Sequence, residues 1–421
     1  KAYDGGITAS TTLTFTGLVG SETLGQTVGS TFDNKNVGSN KAVTINSISL
    51  ADGSNGGLAA NYSISAGQTT TAHISPKSLT VSVNTASNKT YDSNSSATVT
   101  VTLSGFVGSE TLTYTNASSF NNKNVGTGKT VTVNSITLAD GNNGGLASNY
   151  SVTPGQTTTA NIAAKALTIS GITASSKTYD GNTSATLDTS SVLYTGLISG
   201  DTFNGSYSGA FGNANVGTAK TVTITPSYTG ADVSNYDITD QTSTTADISA
   251  KALTATASVS NKTYDATNFA AATLSISGLV GSETLSATNT STFNNKNVGT
   301  GKTVTVNSIT LADGSNGGLA TNYSISAGQT TTANITAKSL TVSGITASNK
   351  TYDGSTNATL DASSVAYSGL VNGDTFNGTY TGAFSDKNVG TGKTVTITSS
   401  YSGADVSNYS VTNQSPTTAN I

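Results

Sequence analysis

The chain has 421 residues, a formal net charge of −4 and only 10% charged residues, against roughly a quarter in an ordinary soluble domain. All 18 basic residues are lysines scattered along the chain, which leaves no basic footprint for nucleic acid, and the small net charge excludes disorder driven by self-repulsion. Cys, Met and Trp are absent, so there is no disulfide framework and no thiolate metal site.

The remaining residues are mostly strand formers (Thr, Val, Tyr, Ile) and turn formers (Gly, Asn, Asp, Ser), the vocabulary of an all-β chain. No apolar run approaches the roughly 20 residues of a membrane-spanning helix, so no membrane insertion is expected in this segment. The sequence opens at Lys1-Ala2-Tyr3-Asp4 without an initiator Met or a signal peptide, and it reads as a window of a longer protein.

Repetition is the dominant signal. Lys-x-Tyr-Asp occurs with its Tyr at Tyr3, Tyr91, Tyr179, Tyr264 and Tyr352, at spacings of 88, 88, 85 and 88 residues. A period of that size suits one small β domain rather than a solenoid coil. The domains are placed at 1–76, 77–164, 165–250, 251–337 and 338–421. Repeats 1, 2 and 4 (type A) carry Gly-Ser-Glu-Thr-Leu and a long Asp-Gly-x-Asn-Gly-Gly-Leu loop from Asp52, Asp140 and Asp313; repeats 3 and 5 (type B) carry Gly-Asp-Thr-Phe and a shorter loop. Phe120–Ser151 returns as Phe293–Ser324 with two changes, Asn142 to Ser315 and Ser148 to Thr321, the mark of a duplicated A–B pair.

Repeat 1 starts at its Tyr-Asp turn and lacks the Lys-x-Leu-Thr lead-in of the other four, so its first strand is expected upstream of Lys1. In repeat 2, Val99, Val101 and Leu103 alternate with polar residues, a half-buried strand. Phe106 to Ser109 reads as a turn, and Leu112 and Tyr114 open the next strand. The alternation of Val131 and Val133 slips by one at Asn134-Ser135 before Ile136 and Leu138, which predicts a β-bulge. Type B keeps phase through Val222, Ile224, Pro226 and Tyr228. Six or seven short strands per repeat, with no helical period, predict five tandem β-sandwich-like domains, with a β-grasp-like unit as the alternative. The joints, such as Ala163-Ala164-Lys165-Ala166-Leu167-Thr168, are too short for a flexible linker. They predict an extended rod of independent modules, on the order of 150–200 Å long if each spans about 30–40 Å.

Lys-Thr-Tyr-Asp-Gly at Lys177–Gly181, Asn-Val-Gly-x-x-Lys at Asn215–Lys220 and Asn235-Tyr236 together resemble the YDG-type repeats of large bacterial surface exoproteins, which are haemagglutinin- or adhesin-like. All five repeats share the resemblance. Repeats 2 and 4 replace the Gly of Tyr-Asp-Gly by Ser93 and Ala266, and repeat 3 has Ala214 where the others have Lys before Asn-Val-Gly. The resemblance implies a secreted, tandem-repeat, surface architecture and no known catalytic activity.

The lysines recur at four repeat positions, three acidic positions recur in all five repeats, and an Asn precedes a Tyr in each (Asn61, Asn149, Asn235, Asn322, Asn408). The plain reading is structural: Asp caps a turn, Tyr packs its ring, and Lys protects strand edges. Two sharper readings stand beside it. A Lys, an Asn and an acid in one apolar pocket can form an isopeptide crosslink, with Lys89, Asp92 and Asn149 as one set and Lys177, Asp180 and Asn235 as another. The long loops at Asp52, Asp140 and Asp313 could hold calcium through carboxylate, amide and backbone oxygens, although each brings one carboxylate. No other cofactor is expected. His73 is the single His and stands where Asn161 and Asn334 stand in other repeats, so nucleophile–His catalysis lacks parts and the chain is not read as an enzyme. The expected role is a stalk or spacer of a secreted or surface-displayed adhesin or fibre. The alternative is that the repeats themselves bind glycan or identical chains, which rows of exposed tyrosines such as Tyr194, Tyr207 and Tyr228 would favour.

Overall fold

The computed structural model describes residues 1–421. It forms two compact units. One holds residues 1–172, 189–207 and 226–241; the other holds 173–188, 208–225 and 242–421. The dividing line runs through repeat 3, so the compact bodies do not coincide with the sequence repeats.

Repeat 2, in the first unit, shows how a repeat is built. Its strands are β1 (Lys77–Ser78), β2 (Thr80–Ala86), β3 (Lys89–Thr90), β4 (Ser96–Ala97), β5 (Val99–Ser104), β6 (Leu112–Phe120), β7 (Gly126–Asp140), β8 (Tyr150–Ser151) and β9 (Thr157–Ala163). A five-stranded sheet runs in the order β3-β9-β7-β6-β4, antiparallel except for the β3–β9 pair. Opposite it, β2 pairs antiparallel with β5 and β1 pairs parallel with β8. The two layers share one core. Val81, Val83, Val99 and Val101 face Phe120, Val131, Val133, Ala160 and Ile162. Strand β5 is buried at every second residue, which is the pleat expressed as sequence: Val inward, Thr outward. The only helical segments are single 3-10 turns of three residues. A β-grasp needs a helix under its sheet, so the sandwich describes the repeats.

In the second unit the plan recurs. In repeat 4, Lys251–Val259 lies between Ala272–Ser277 and Tyr323–Ile325, and a second sheet orders Lys262–Thr263, Thr330–Thr336, Gly299–Asp313 and Leu285–Phe293.

The bulge forms where alternation slips. Ala117 faces Ser135 but Ser118 faces Val133, leaving Asn134 as the extra residue. The same jump leaves out Asn46 in repeat 1 and Asn307 in repeat 4. In type B repeat 5 the register runs unbroken from Asn377↔Ser402 to Phe384↔Val395.

The expectation of independent modules needs correcting. Four of the five apolar clusters join the sheet of one repeat to the first strand of the next, and the fifth lies within repeat 5. Leu79 and Tyr150 share a cluster with Phe32 and Val43 of repeat 1, and Leu167 and Tyr236 share one with Val131 and Val133 of repeat 2. In the second unit, Leu253 and Tyr323 pack with Phe211 and Val222, while Leu340 and Tyr409 pack with Phe293 and Val304. The physical cause is the short joint: a strand that leaves one sheet and enters the next within a residue or two carries its apolar side chains into both.

Leu167 is fully buried, so Leu167→Ala should cost about 2–5 kcal/mol. Because its cluster spans the joint, hydrogen exchange should show both repeats 2 and 3 losing protection; loss confined to repeat 3 would restore the picture of independent modules.

Candidate functional site

The recurrent polar residues converge at the joints. They are built from two local structures. The first is the Tyr-Asp turn. Asp4 Oδ1 accepts the Gly6 N–H at 2.9 Å and the Lys1 ammonium at 2.9 Å. The turn recurs with Asp92 and Asn94, Asp180 and Asn182, Asp265 and Thr267, and Asp353 and Ser355. It is the ordinary habit of Asp to bond its own backbone two residues on. The second is the Asn-Val-Gly loop, where Asn34 Oδ1 bonds the Asn36 N–H at 3.0 Å and the Lys41 ammonium at 2.8 Å.

Both structures project onto the following repeat. In the first joint, Tyr3 is 2% exposed and meets Tyr150 edge to face with ring centroids 5.5 Å apart. The two hydroxyls donate to the two oxygens of Glu110, each at 2.7 Å. Lys35 adds a third bond to Glu110 at 2.9 Å, and the Tyr150 hydroxyl also accepts the Val107 N–H at 3.0 Å. Beside them, buried Asn149 accepts the Val37 N–H at 2.9 Å and donates to Asn36 Oδ1 at 3.1 Å.

The second joint, in the same unit, uses two acids. Tyr91 and Tyr236 stand 5.6 Å apart. Tyr236 donates to Asp201 at 2.6 Å and Tyr91 to Asp232 at 3.2 Å. Lys123 lies 2.8 Å from Asp232 and 3.4 Å from Asp201, and Asn235 accepts the Val125 N–H at 2.9 Å.

The second unit repeats both versions. Tyr179 and Tyr323, 5.4 Å apart, donate to Glu283 at 2.6 and 2.7 Å; Asn322 accepts the Val216 N–H at 2.9 Å. Here Ala214 supplies no ammonium. Tyr264 and Tyr409, 5.6 Å apart, donate to Asp374 at 3.1 and 2.5 Å. Lys296 lies 2.9 Å from Asp405, and Asn408 accepts the Val298 N–H at 2.9 Å.

The electrostatics follow from burial. Burial, with a carboxylate neighbour, pushes the Tyr150, Tyr179, Tyr236 and Tyr409 hydroxyls up to about 12. Burial also works against the Glu110 and Asp201 carboxylates, but the hydrogen bonds they accept outweigh it and hold both below the usual range. The Lys123 ammonium holds Asp232 down, and the Thr375 N–H followed by Lys296 does the same for Asp405. Every polar group of the joint is thus spent on a partner, and the arrangement acts as a clip between repeats.

The candidate isopeptide sets are not assembled. Lys89 lies 2.7 Å from Asp92 and 3.0 Å from Asn94 Oδ1, while Asn149 holds the preceding repeat. Lys177 likewise bonds Asp180 at 2.7 Å and Asn182 at 3.0 Å, while Asn235 holds Val125. In the candidate calcium loops, Asp52, Asp140 and Asp313 each cap the loop's own backbone, accepting the N–H of Ala59, Ala147 and Ala320 at 2.7 Å. The loop glycines are steric: a Cβ on Gly141 or Gly145 would stand 2.1 or 2.0 Å from the Thr111 carbonyl oxygen. Tyr194, Tyr207 and Tyr228 form no exposed row. They are half-buried, with Tyr207 donating to Tyr194 at 3.2 Å and Tyr228 lying over Phe203 at 5.2 Å. His73 is exposed.

What sequence reasoning missed was the partnership of Tyr-Asp and Asn-Val-Gly with the acid and the Asn-Tyr of the next repeat. The signal lay in their joint recurrence, since groups repeated five times without a shared chemistry are available to bind one another.

Compared with known families, the chain matches the YDG domain at residues 1–72, 75–160, 163–245, 249–333 and 336–419. A search of curated proteins found no match.

Glu110→Leu should strip two buried hydroxyls and Lys35 of their acceptor, a loss at the upper end of about 1–3 kcal/mol for an unpaired buried group; an unchanged melting temperature would remove Glu110 from the clip. The pH dependence has two arms. Carboxylates with depressed pKa contribute stability that is present above their unfolded value, about 4, and lost as pH falls through the lower folded value. The tyrosines, raised to about 12, contribute stability that is complete below about pH 10 and lost toward 12. Thermal melts should therefore plateau at neutral pH and fall on both sides; a melting temperature still rising below pH 4 would contradict the assignment.

Proposed function

Because the chain belongs to the YDG domain family along its whole length, we propose that it is the structural stalk or spacer of a secreted or surface-displayed bacterial adhesin or extracellular fibre. The observation that carries this reading is the clip itself. It is rebuilt at every joint, with tyrosine rings always 5.4–5.6 Å apart. A protein selected for reach needs a joint that can be copied without redesign, and near-identical repeats with self-sufficient joints supply it. The recurrent polar residues, which would be the natural parts of a ligand site, are consumed in holding repeat to repeat. The extracellular setting rests on the resemblance to bacterial surface exoproteins. The half-buried tyrosines of the type B repeats do not favour a glycan-binding surface.

Probed on a glycan array, the intact chain should give no saturable hit; a saturable hit would replace the spacer role by repeats that bind.

A further inference from the structure

The position two residues after Leu112 and six before Phe120 is Tyr114 in repeat 2, and the same count places Gln26, Gly205, Ala287 and Gly378 in the other repeats. It lies where the larger sheet passes the edge strand of the smaller one, and four repeats close that passage with a polar side chain. In repeat 2 the Tyr114 hydroxyl donates to the Val101 carbonyl on the edge strand. In repeat 1 the Gln26 amide donates to the Leu13 carbonyl at 2.6 Å. In the type B repeats the position is Gly, and two tyrosines take the space. A Cβ on Gly205 would stand 2.5 Å from the Tyr207 hydroxyl oxygen and 2.9 Å from that of Tyr194, and Tyr380 and Tyr367 crowd Gly378 in the same way. Tyrosine phenols thus plug repeats 2, 3 and 5.

Repeat 4 has no such plug. Ala287 leaves a cavity of 390 Å³ lined by Leu274, Ile276, Leu279, Leu285 and Asn289, within the range of small-molecule sites, roughly 300–1,000 Å³. The edge strand Ala272–Ser277 pairs only with Lys251–Val259. Its Ala272, Leu274 and Ile276 are half-buried where Val99, Val101 and Leu103 are buried. The neighbouring strand does not make up the loss, because Ala255 and Ala257 stand where repeat 2 has Val81 and Val83. The rest of the frame is kept. Leu274 faces Ala257 as Val101 faces Val83, so its carbonyl points the same way. Asn289 donates to the Ala272 carbonyl at 2.9 Å, as Asn116 does to that of Val99 at 3.2 Å.

We infer that repeat 4 carries a binding site for a para-substituted phenol. The ring lies over Ala287 against Leu274, Ile276 and Leu285, and the hydroxyl donates to the Leu274 carbonyl. Three repeats of the chain identify the ligand, since each holds a phenol of its own at this place. A carbonyl on an apolar wall selects a ring that carries a donor over a bare hydrocarbon. The two strands that form the walls are already paired, Ala272–Ser277 with Lys251–Val259 and Leu285–Phe293 with Gly299–Asp313, which lowers the ordering cost of binding. The site goes beyond the spacer reading: it adds a ligand to one repeat and leaves the joints as they are.

The test titrates the intact chain with p-cresol, the analogue of the tyrosine side chain, and follows methyl resonances by NMR. Saturable shifts at Leu274, Ile276 and Leu285 are expected, with toluene, which lacks the hydroxyl, binding at least tenfold more weakly. Ala287→Tyr and Ala287→Gln restore the plugs that repeats 2 and 1 carry, and each folded variant should bind p-cresol at least tenfold more weakly. N-acetyltyrosinamide separates the two sources of such a ring. Binding of both probes admits a tyrosine side chain of another protein, and binding of p-cresol alone restricts the site to free phenols. No saturable shift at millimolar p-cresol, equal binding of toluene, or binding that survives both substitutions would overturn the inference.

Discussion

The structure turns on a carboxylate buried between two tyrosine hydroxyls that belong to different repeats. Glu110, Glu283 and Asp374 each take both hydroxyls, while Asp201 and Asp232 divide the task in the second joint. A buried carboxylate is costly unless its acceptors are filled. Two phenols, with an ammonium in three of the joints, fill them. The penalty for pulling the repeats apart is then large, because separation breaks the edge-to-face ring pair and strips the Tyr3 or Tyr179 hydroxyl from an acid that stays beside its own repeat's tyrosine and the Val107 or Val280 turn. Charge-assisted hydrogen bonds of this kind are short, directional and specific, so they fix the register of one repeat on the next while the shared Leu supplies apolar area.

The variations between joints fit this hierarchy. The ammonium is dispensable: Ala214 replaces it in the third joint, yet the tyrosine–glutamate geometry stays the same. Where type B follows type A, a second acid enters, and Lys123 or Lys296 bridges the pair. In these two joints the amine thus offsets an added negative charge. The Asn to Val backbone bond, present in all four joints at 2.9 Å, is indifferent to charge and pins the loop.

Much of the fold was legible because it is local. Alternation marked Val99, Val101 and Leu103 as one face of a strand, and the slip at Asn134 marked the bulge, since a period of two cannot absorb one extra residue without it. Sheet partners across a long loop, such as Gly126–Asp140 with Thr157–Ala163, left no such trace. The clip was hidden for a related reason. Asn149 bonds a residue more than a hundred positions away, and in a repetitive chain every repeat offers the same candidates, so recurrence shows that residues matter together but not whether they meet within a repeat or between neighbours. That ambiguity turned a shared core into an expectation of independent modules, and it placed Asn149 and Asn235 beside lysines that the structure assigns to their own Tyr-Asp turns.

A double-mutant cycle on the simplest joint tests the clip most directly. Tyr179→Phe and Glu283→Gln lie in different repeats and involve no lysine. Measured by denaturant unfolding, singly and together, they should be non-additive, with a coupling of about 1 kcal/mol, within the range for residues in direct contact. Strict additivity would mean that hydroxyl and carboxylate do not meet, and the account of how one repeat holds the next would fail with it.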